Sequence, residues 1–173
     1  KIKRIQSNIV TADISKTAPA TYFGDKNYTI PKIGDDGYIE AVINICNKEN
    51  IMLVIPTIDT ELKILSENKK LIEKETNAKI LISDKKVIDI CINKKNTNKF
   101  FEENGFGIPK EIKNSDIENR NYKFPLFIKP IDGSSSINAF KVNNEKQLLF
   151  FKDYIDNPII QEFIEGTEYT IDA

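Results

Sequence analysis

Ile51-Met52-Leu53-Val54-Ile55 is a continuous apolar run stopped by Pro56. A run this short, with no polar alternation, is the pattern of a strand covered on both faces of a parallel sheet. Parallel neighbours need crossover connections, and the flanks supply them. Before the run, Ile39, Val42, Ile43 and Cys46 recur at helical spacing within Tyr38 to Asn47. After it, Ile58, Leu62, Leu65 and Leu71 mark one face of a helix over 57–75, with Asp59 and Glu61 near the positive end of its dipole. Strand patterns at 8–14 and 80–83 and a helical one at 85–92 continue the alternation, which predicts a right-handed, doubly wound parallel sheet. Lys1 to Gln6 reads as the tail of a helix and 168–172 as an apolar strand, so both ends are expected to interrupt structure.

Composition narrows the chemistry. Twenty-five basic and 26 acidic side chains leave a net charge of -1, which gives no basis for coating nucleic acid or a membrane surface. No apolar run approaches the roughly 20 residues of a bilayer span and no signal-peptide core is present, so a cytoplasmic location is expected. With no histidine in the chain, serine–histidine and cysteine–histidine nucleophiles and imidazole zinc sites are excluded. Cys46 and Cys91 each lie among apolar residues of a predicted helix and are expected to behave as small hydrophobes.

The texture changes after Cys91. A helix is predicted over 98–104, ending at Gly105, followed by irregular chain around Gly107-Ile108-Pro109 and a polar, loop-like stretch over 114–121. Strands are then predicted at 124–130, 140–142, 158–164 and 168–172, with a helix capped by Asn143 between the second and third. This is an α+β unit distinct from the first.

Within it, Phe124-Pro-Leu-Phe-Ile-Lys129-Pro130-Ile-Asp132-Gly133-Ser134-Ser135-Ser136 delivers a lysine from a buried strand into a Gly/Ser loop. A triphosphate needs cations and closely approaching N–H groups. Lys129 supplies the first, and Gly133 with Ser134, Ser135 and Ser136 supplies the second, together with hydroxyl donors. Neither G-x-x-x-x-G-K-[ST] nor G-x-G-x-x-G is present, so the loop is expected to act as a hairpin flap. Downstream, Gln161-Glu162-Phe163-Ile164 offers backbone groups to an adenine edge and an apolar slot, and Glu168 a carboxylate to the ribose hydroxyls. The competing explanation is an exposed hairpin followed by a solvent-facing edge strand.

These residues together resemble the ATP-grasp family, and within it the carbamoyl-phosphate-synthase-like carboxylate–amine ligases. Thr11-Ala-Asp13-Ile-Ser, Ala18-Pro-Ala20 and Ile55-Pro-Thr57-Ile-Asp59-Thr-Glu61-Leu62 are similar to a Rossmann-like pre-ATP-grasp domain, expected over 1–92. Cys91-Ile-Asn93-Lys94-Lys-Asn-Thr97 resembles the family's C-x-D-K-x-x-T lead-in. Phe127-Ile-Lys129-Pro and Glu162-Phe-Ile-Glu-Gly166-Thr-Glu168-Tyr resemble the core of the α+β first subdomain of an ATP-grasp fold, expected over 93–173.

The resemblance implies roles. Lys94 would touch the α-phosphate side of ATP, Lys129 would bridge phosphate and adenine, and 133–136 would close over the β- and γ-phosphates. Glu162 and Ile164 would present the hinge through backbone atoms, and Glu168 would bind ribose. Asn93 replaces the usual aspartate. The implied cofactors are ATP and Mg²⁺, with magnesium ligands expected beyond Ala173, so this chain alone is expected not to turn over. The implied reaction joins a small-molecule carboxylate to an amine through an acyl phosphate, and the family admits a homodimer. A non-catalytic nucleotide-binding module with a regulatory or assembly role is the alternative. Thr57, Asp59 and Glu61 are candidates for the acceptor site or for helix capping alone.

Overall fold

Parallel pairing organises the first half of the chain. In the computed structural model, which describes residues 7–133, 135–167 and 169, β1 (Val10–Asp13) pairs with β2 (Lys26–Thr29), and β3 (Leu53–Val54) with β4 (Lys79–Ile80), both in parallel. The ladders form two pairs rather than one continuous sheet. α1 (Tyr38–Lys48) and α2 (Asp59–Glu75) supply the helical layer. The core of this unit is Ile30, Tyr38, Leu65, Ile72 and Ile80, with Val54 packed against it.

Several expectations shift here. The buried stripe of α2 runs through Leu65 and Ile72, while Leu71 is 45% exposed. Leu65 and Ile72 lie two turns apart on one face, and Leu71 is rotated about 100° from Ile72. β3 is covered on one face only: Val54 and Ile80 face the core, whereas Leu53 and Ile55 are exposed. β2 was not expected, since Lys-Asn-Tyr-Thr carries no apolar pattern; its side chains are instead held by Glu49, which accepts from Lys26 Nζ at 2.6 Å and from the Tyr28 hydroxyl. Tyr38 ties α1 to α2 by donating to Glu61 at 2.9 Å. Cys46 is buried, and burial pushes its thiol pKa up, but Cys91 is exposed because Ile88 is the buried residue of α3 (Lys85–Ile92). Residues 1–6 lie outside the described residues.

The chain divides into two compact units, 1–88 and 89–173. The second is built on an antiparallel sheet of order β6-β5-β7, with β5 (Leu126–Pro130) central, β6 (Phe140–Val142) and β7 (Pro158–Glu162). Leu126 pairs with Val142 and Glu162, and Ile128 with Phe140 and Ile160. Strand alternation therefore puts Leu126, Ile128, Val142 and Ile160 on one face, where they form a core with Leu148 and Ile155. α6 (Glu145–Tyr154) covers this face, and its Phe151 stacks on Phe140 at 4.2 Å.

Two helices begin earlier or exist where loop was expected. α4 runs Lys94–Glu103 because Asn93 caps it, accepting from the N–H groups of Lys95 and Asn96. α5 (Asn114–Glu118) forms in the polar stretch because the Asp116 carboxylate reaches back to the Lys113 N–H, while Ile117 and Tyr122 pack on the core. The cap of α6 is Asn144, accepting from the Gln147 N–H, rather than Asn143, whose own N–H goes to the Gln147 side chain. The described part of the last predicted strand pair stops at Glu162, and 168–172 holds only one described residue.

Candidate functional site

The side chains that alternate away from the core in the second unit set the site. Phe127 and Lys129 leave the opposite face of β5 from Leu126 and Ile128, and their cross-strand neighbours there are Lys141, Gln161 and Ile159. Lys129 lies over the Phe127 ring, 5.6 Å from its centroid. The Phe163 ring is 6.3 Å from that of Phe127. One sheet face thus carries aromatic surface with a cation above it.

Lys94 comes to the mouth of this face from the first turn of α4. Its backbone N–H donates to Ile131 at 2.9 Å and its ammonium to the Gly133 carbonyl at 3.0 Å. The lead-in motif now has a physical explanation: Asn93 caps the helix, Lys94 reaches the loop, and the Thr97 hydroxyl donates back to Ile90 at 2.8 Å. Asparagine serves as a cap as well as aspartate does.

The loop is a hairpin connection between antiparallel β5 and β6. Its base is held at Ile131, whose N–H donates to Asn157. Its crest is exposed, and Gly133, Ser135, Ser136 and Asn138 all have left-handed backbone, with φ of 94°, 59°, 55° and 56°. Such conformations are uncommon for serine and cluster at ligand clamps. At Gly133 a Cβ would meet open space, so the positive φ itself is what favours glycine there.

The segment leaving β7 shows a diverted ladder. The Glu162 N–H donates to Lys110 at 2.9 Å, but the Lys110 N–H goes to the Glu162 carboxylate at 2.9 Å instead of to the Glu162 carbonyl. This leaves the Glu162 carbonyl out of that ladder. Phe163 donates its N–H to Pro125 at 3.3 Å, and Ile164 is exposed. Gln161 differs from its neighbours. It is 2% exposed, its backbone pairs with Phe127, and its amide donates to Pro109 at 3.4 Å, so it braces the strand.

The electrostatics agree with the geometry. Burial lowers the pKa of Lys129, and the nearby Lys94 charge lowers it further. Burial also lowers Lys94, partly offset by Asp132. Two partly buried lysines with lowered pKa values make this face a candidate anion site. Lys94, Lys129 and Gly133 are brought together; Ser135 and Ser136 crown the same loop; Glu162, Phe163 and Ile164 form the strand exit, with Phe163 beside Phe127. Ser134 and Glu168 lie outside the described residues. Phe127 and Lys141 were missed, although alternation from Lys129 already marked Phe127 in the sequence.

Residues 1–81 match the family model for a PylC-like, N-terminal domain, and residues 91–173 match that for an ATP-grasp domain. Residues 91–173 carry an ATP-grasp domain. The ATP-grasp match begins at Cys91 and takes in every residue of the site just described, and the fold is an N-terminal α/β domain followed by the α+β start of an ATP-grasp domain. A D-alanine–D-alanine ligase of Pelagibacter ubique (strain HTCC1062) is 28% identical over 152 residues, 81% of this chain and 40% of the ligase. The biotin carboxylase domain of 2-oxoglutarate carboxylase from Hydrogenobacter thermophilus, solved with MgADP, ADP and bicarbonate, superimposes with a TM-score of 0.65 at 14% identity over 93% of this chain and 45% of that one. N5-carboxyaminoimidazole ribonucleotide synthetase from Thermotoga maritima gives 0.61 at 21% identity over 90% of this chain and 39% of that one. At these identities the two structures bear on the fold alone. The chain spans less than half the length of each of these relatives.

Proposed function

We propose that the second unit holds the adenine and phosphates of ATP for a carboxylate–amine ligase, with the functional boundary at 92/93, just before the cap of α4. The observation that carries this reading is that Phe127, Lys129 and Phe163 share one sheet face with Lys94 at its mouth. Adenine lies against the aromatic side, its exocyclic amine donating to the Glu162 carbonyl and its ring nitrogen accepting from the Ile164 N–H. Gln161 supports that hinge from within the sheet. Lys129 spans to the phosphates, Lys94 leaves the Gly133 carbonyl for them, and 133–136, Ser134 included, closes above. Glu168 takes the ribose hydroxyls.

In the reaction a carboxylate oxygen attacks the γ-phosphorus and ADP leaves; an amine then attacks the acyl carbon, inorganic phosphate leaves, and the amine loses a proton. The two lysines neutralise charge on the phosphate oxygens. Closure of the flap keeps water from the acyl phosphate. Mg²⁺, carried with the triphosphate, supplies further charge neutralisation. Among the described residues no group of three or more Cys, Asp and Glu could hold a metal ion.

The substrates in this reading are a small-molecule carboxylate and a small-molecule amine, met in the cytoplasm. Among the described residues no helix is long and apolar enough to cross a membrane. The test is calorimetric titration of the full-length protein with ADP. Binding that Lys129→Met weakens about 10- to 100-fold supports the reading, from the ~1.5–3 kcal/mol of a hydrogen bond to a charged group. Unchanged affinity overturns it. Release of ADP with amino acids, sugar acids or bicarbonate then separates the ligase from a binding module.

A further inference from the structure

Lys141 enters neither the phosphate cluster nor the core. It is exposed, stands opposite Phe127 in the β5–β6 register, and points to the same face as Lys129. Its ammonium does not stay over β6: it lies 4.0 Å from the centroid of the Phe163 ring. Since β5 separates β6 from β7, the side chain crosses the central strand to reach the residue that leaves β7. Phe163 is the middle residue of the hinge, between the Glu162 carbonyl and the Ile164 N–H. Its own N–H is fixed to Pro125, so the ring is the part left to be oriented. β6 is also the strand onto which the Gly/Ser loop descends.

We propose that Lys141 is a positioning residue, strapping the strand behind the flap to the hinge by a cation–π contact with Phe163, so that the hinge presents its adenine-reading atoms in register. The inference rests on the ATP reading of this cleft. It assigns Lys141 to base selection rather than to phosphate neutralisation. A cation over an aromatic ring at an exposed site contributes enough to change an equilibrium about two- to five-fold.

The full-length protein is titrated with ADP and with GDP as wild type, Lys141→Met, Lys141→Arg, Phe163→Leu and the Lys141→Met/Phe163→Leu double variant, with the thermal midpoint of each recorded. Methionine keeps the length of the stem and removes the charge; arginine restores a cation that stacks on the ring. Lys141→Met should weaken ADP about two- to five-fold, lower the preference for ADP over GDP by a similar factor, and leave the thermal midpoint unchanged. Lys141→Arg should restore both, and Lys141→Met should add nothing to Phe163→Leu. Wild-type affinity in Lys141→Met, equal weakening of ADP and GDP, or full additivity with Phe163→Leu overturns the inference while leaving the ATP site standing. Failure of the wild type to bind ADP overturns the ATP reading and the strap with it.

Discussion

Two lysine environments in this chain differ in physics. In the first unit Lys26 meets Glu49, a carboxylate with only 8% of its side chain exposed that also accepts from Tyr28. The hydrogen bond between them, reinforced by opposite charge, raises the lysine pKa and lowers that of the carboxylate. In the second unit Lys129 is moved down by burial and by its cationic neighbour Lys94. The first pair is complete and serves the fold. The second is a pair of like charges, offset at Lys94 by Asp132, whose remaining compensation the proposed nucleotide would supply.

Substitutions should separate the two environments. The largest expected effect is that of Lys129→Met on nucleotide affinity, about 10- to 100-fold by titration, with no fall in thermal midpoint because removing a desolvated charge costs the fold nothing. A fall in stability without a change in affinity would make Lys129 structural. Lys94→Met, at a less buried position, should weaken ADP by roughly three- to ten-fold and leave the Asn93 cap and α4 intact by circular dichroism. Because both lysines titrate below their ordinary value in the free protein and an anion raises them, binding should take up protons at alkaline pH, and affinity should fall as pH rises through their lowered pKa values. Calorimetry in buffers of different ionisation enthalpy reads this directly; proton release would reverse the assigned sign.

The contacts of the first unit predict smaller and opposite behaviour. Tyr38→Phe, which removes a donor to Glu61 from a tyrosine 2% exposed, should cost about 1 kcal/mol by denaturant unfolding and leave nucleotide binding alone. Glu49 has its folded pKa lowered, so its contribution is present above the ordinary carboxylate range and is lost as pH falls through the lowered value. Glu49→Gln should therefore flatten the acid limb of the stability profile slightly. An unchanged acid limb would remove the pair from the account.

Much of this was legible in the sequence because it depends on local pattern. The period of Tyr38 to Asn47, the apolar strand pattern of 124–130, and the lysine before a Gly/Ser loop each follow from local sequence, and each element is present. β2 was hidden because Lys-Asn-Tyr-Thr is stabilised by partners far along the chain, Val10 to Asp13 and Glu49. α5 was hidden because one carboxylate, Asp116, decides it. Leu71 and Ile72 were exchanged because one residue of helical phase separates a buried face from an exposed one. At the site, Phe127 was readable by parity from Lys129, whereas Lys141 required the β5–β6 register, which no local pattern contains. The bracing role of Gln161 likewise depends on Pro109, distant in sequence.

The contrast between the two lysine environments is tested most directly by amine labelling of the full-length protein with acetic anhydride, read residue by residue by mass spectrometry with and without MgADP. The account predicts that nucleotide slows modification of Lys94 and Lys129 several-fold and leaves Lys26 unchanged. Equal labelling of Lys94 and Lys129 at saturating nucleotide would contradict it.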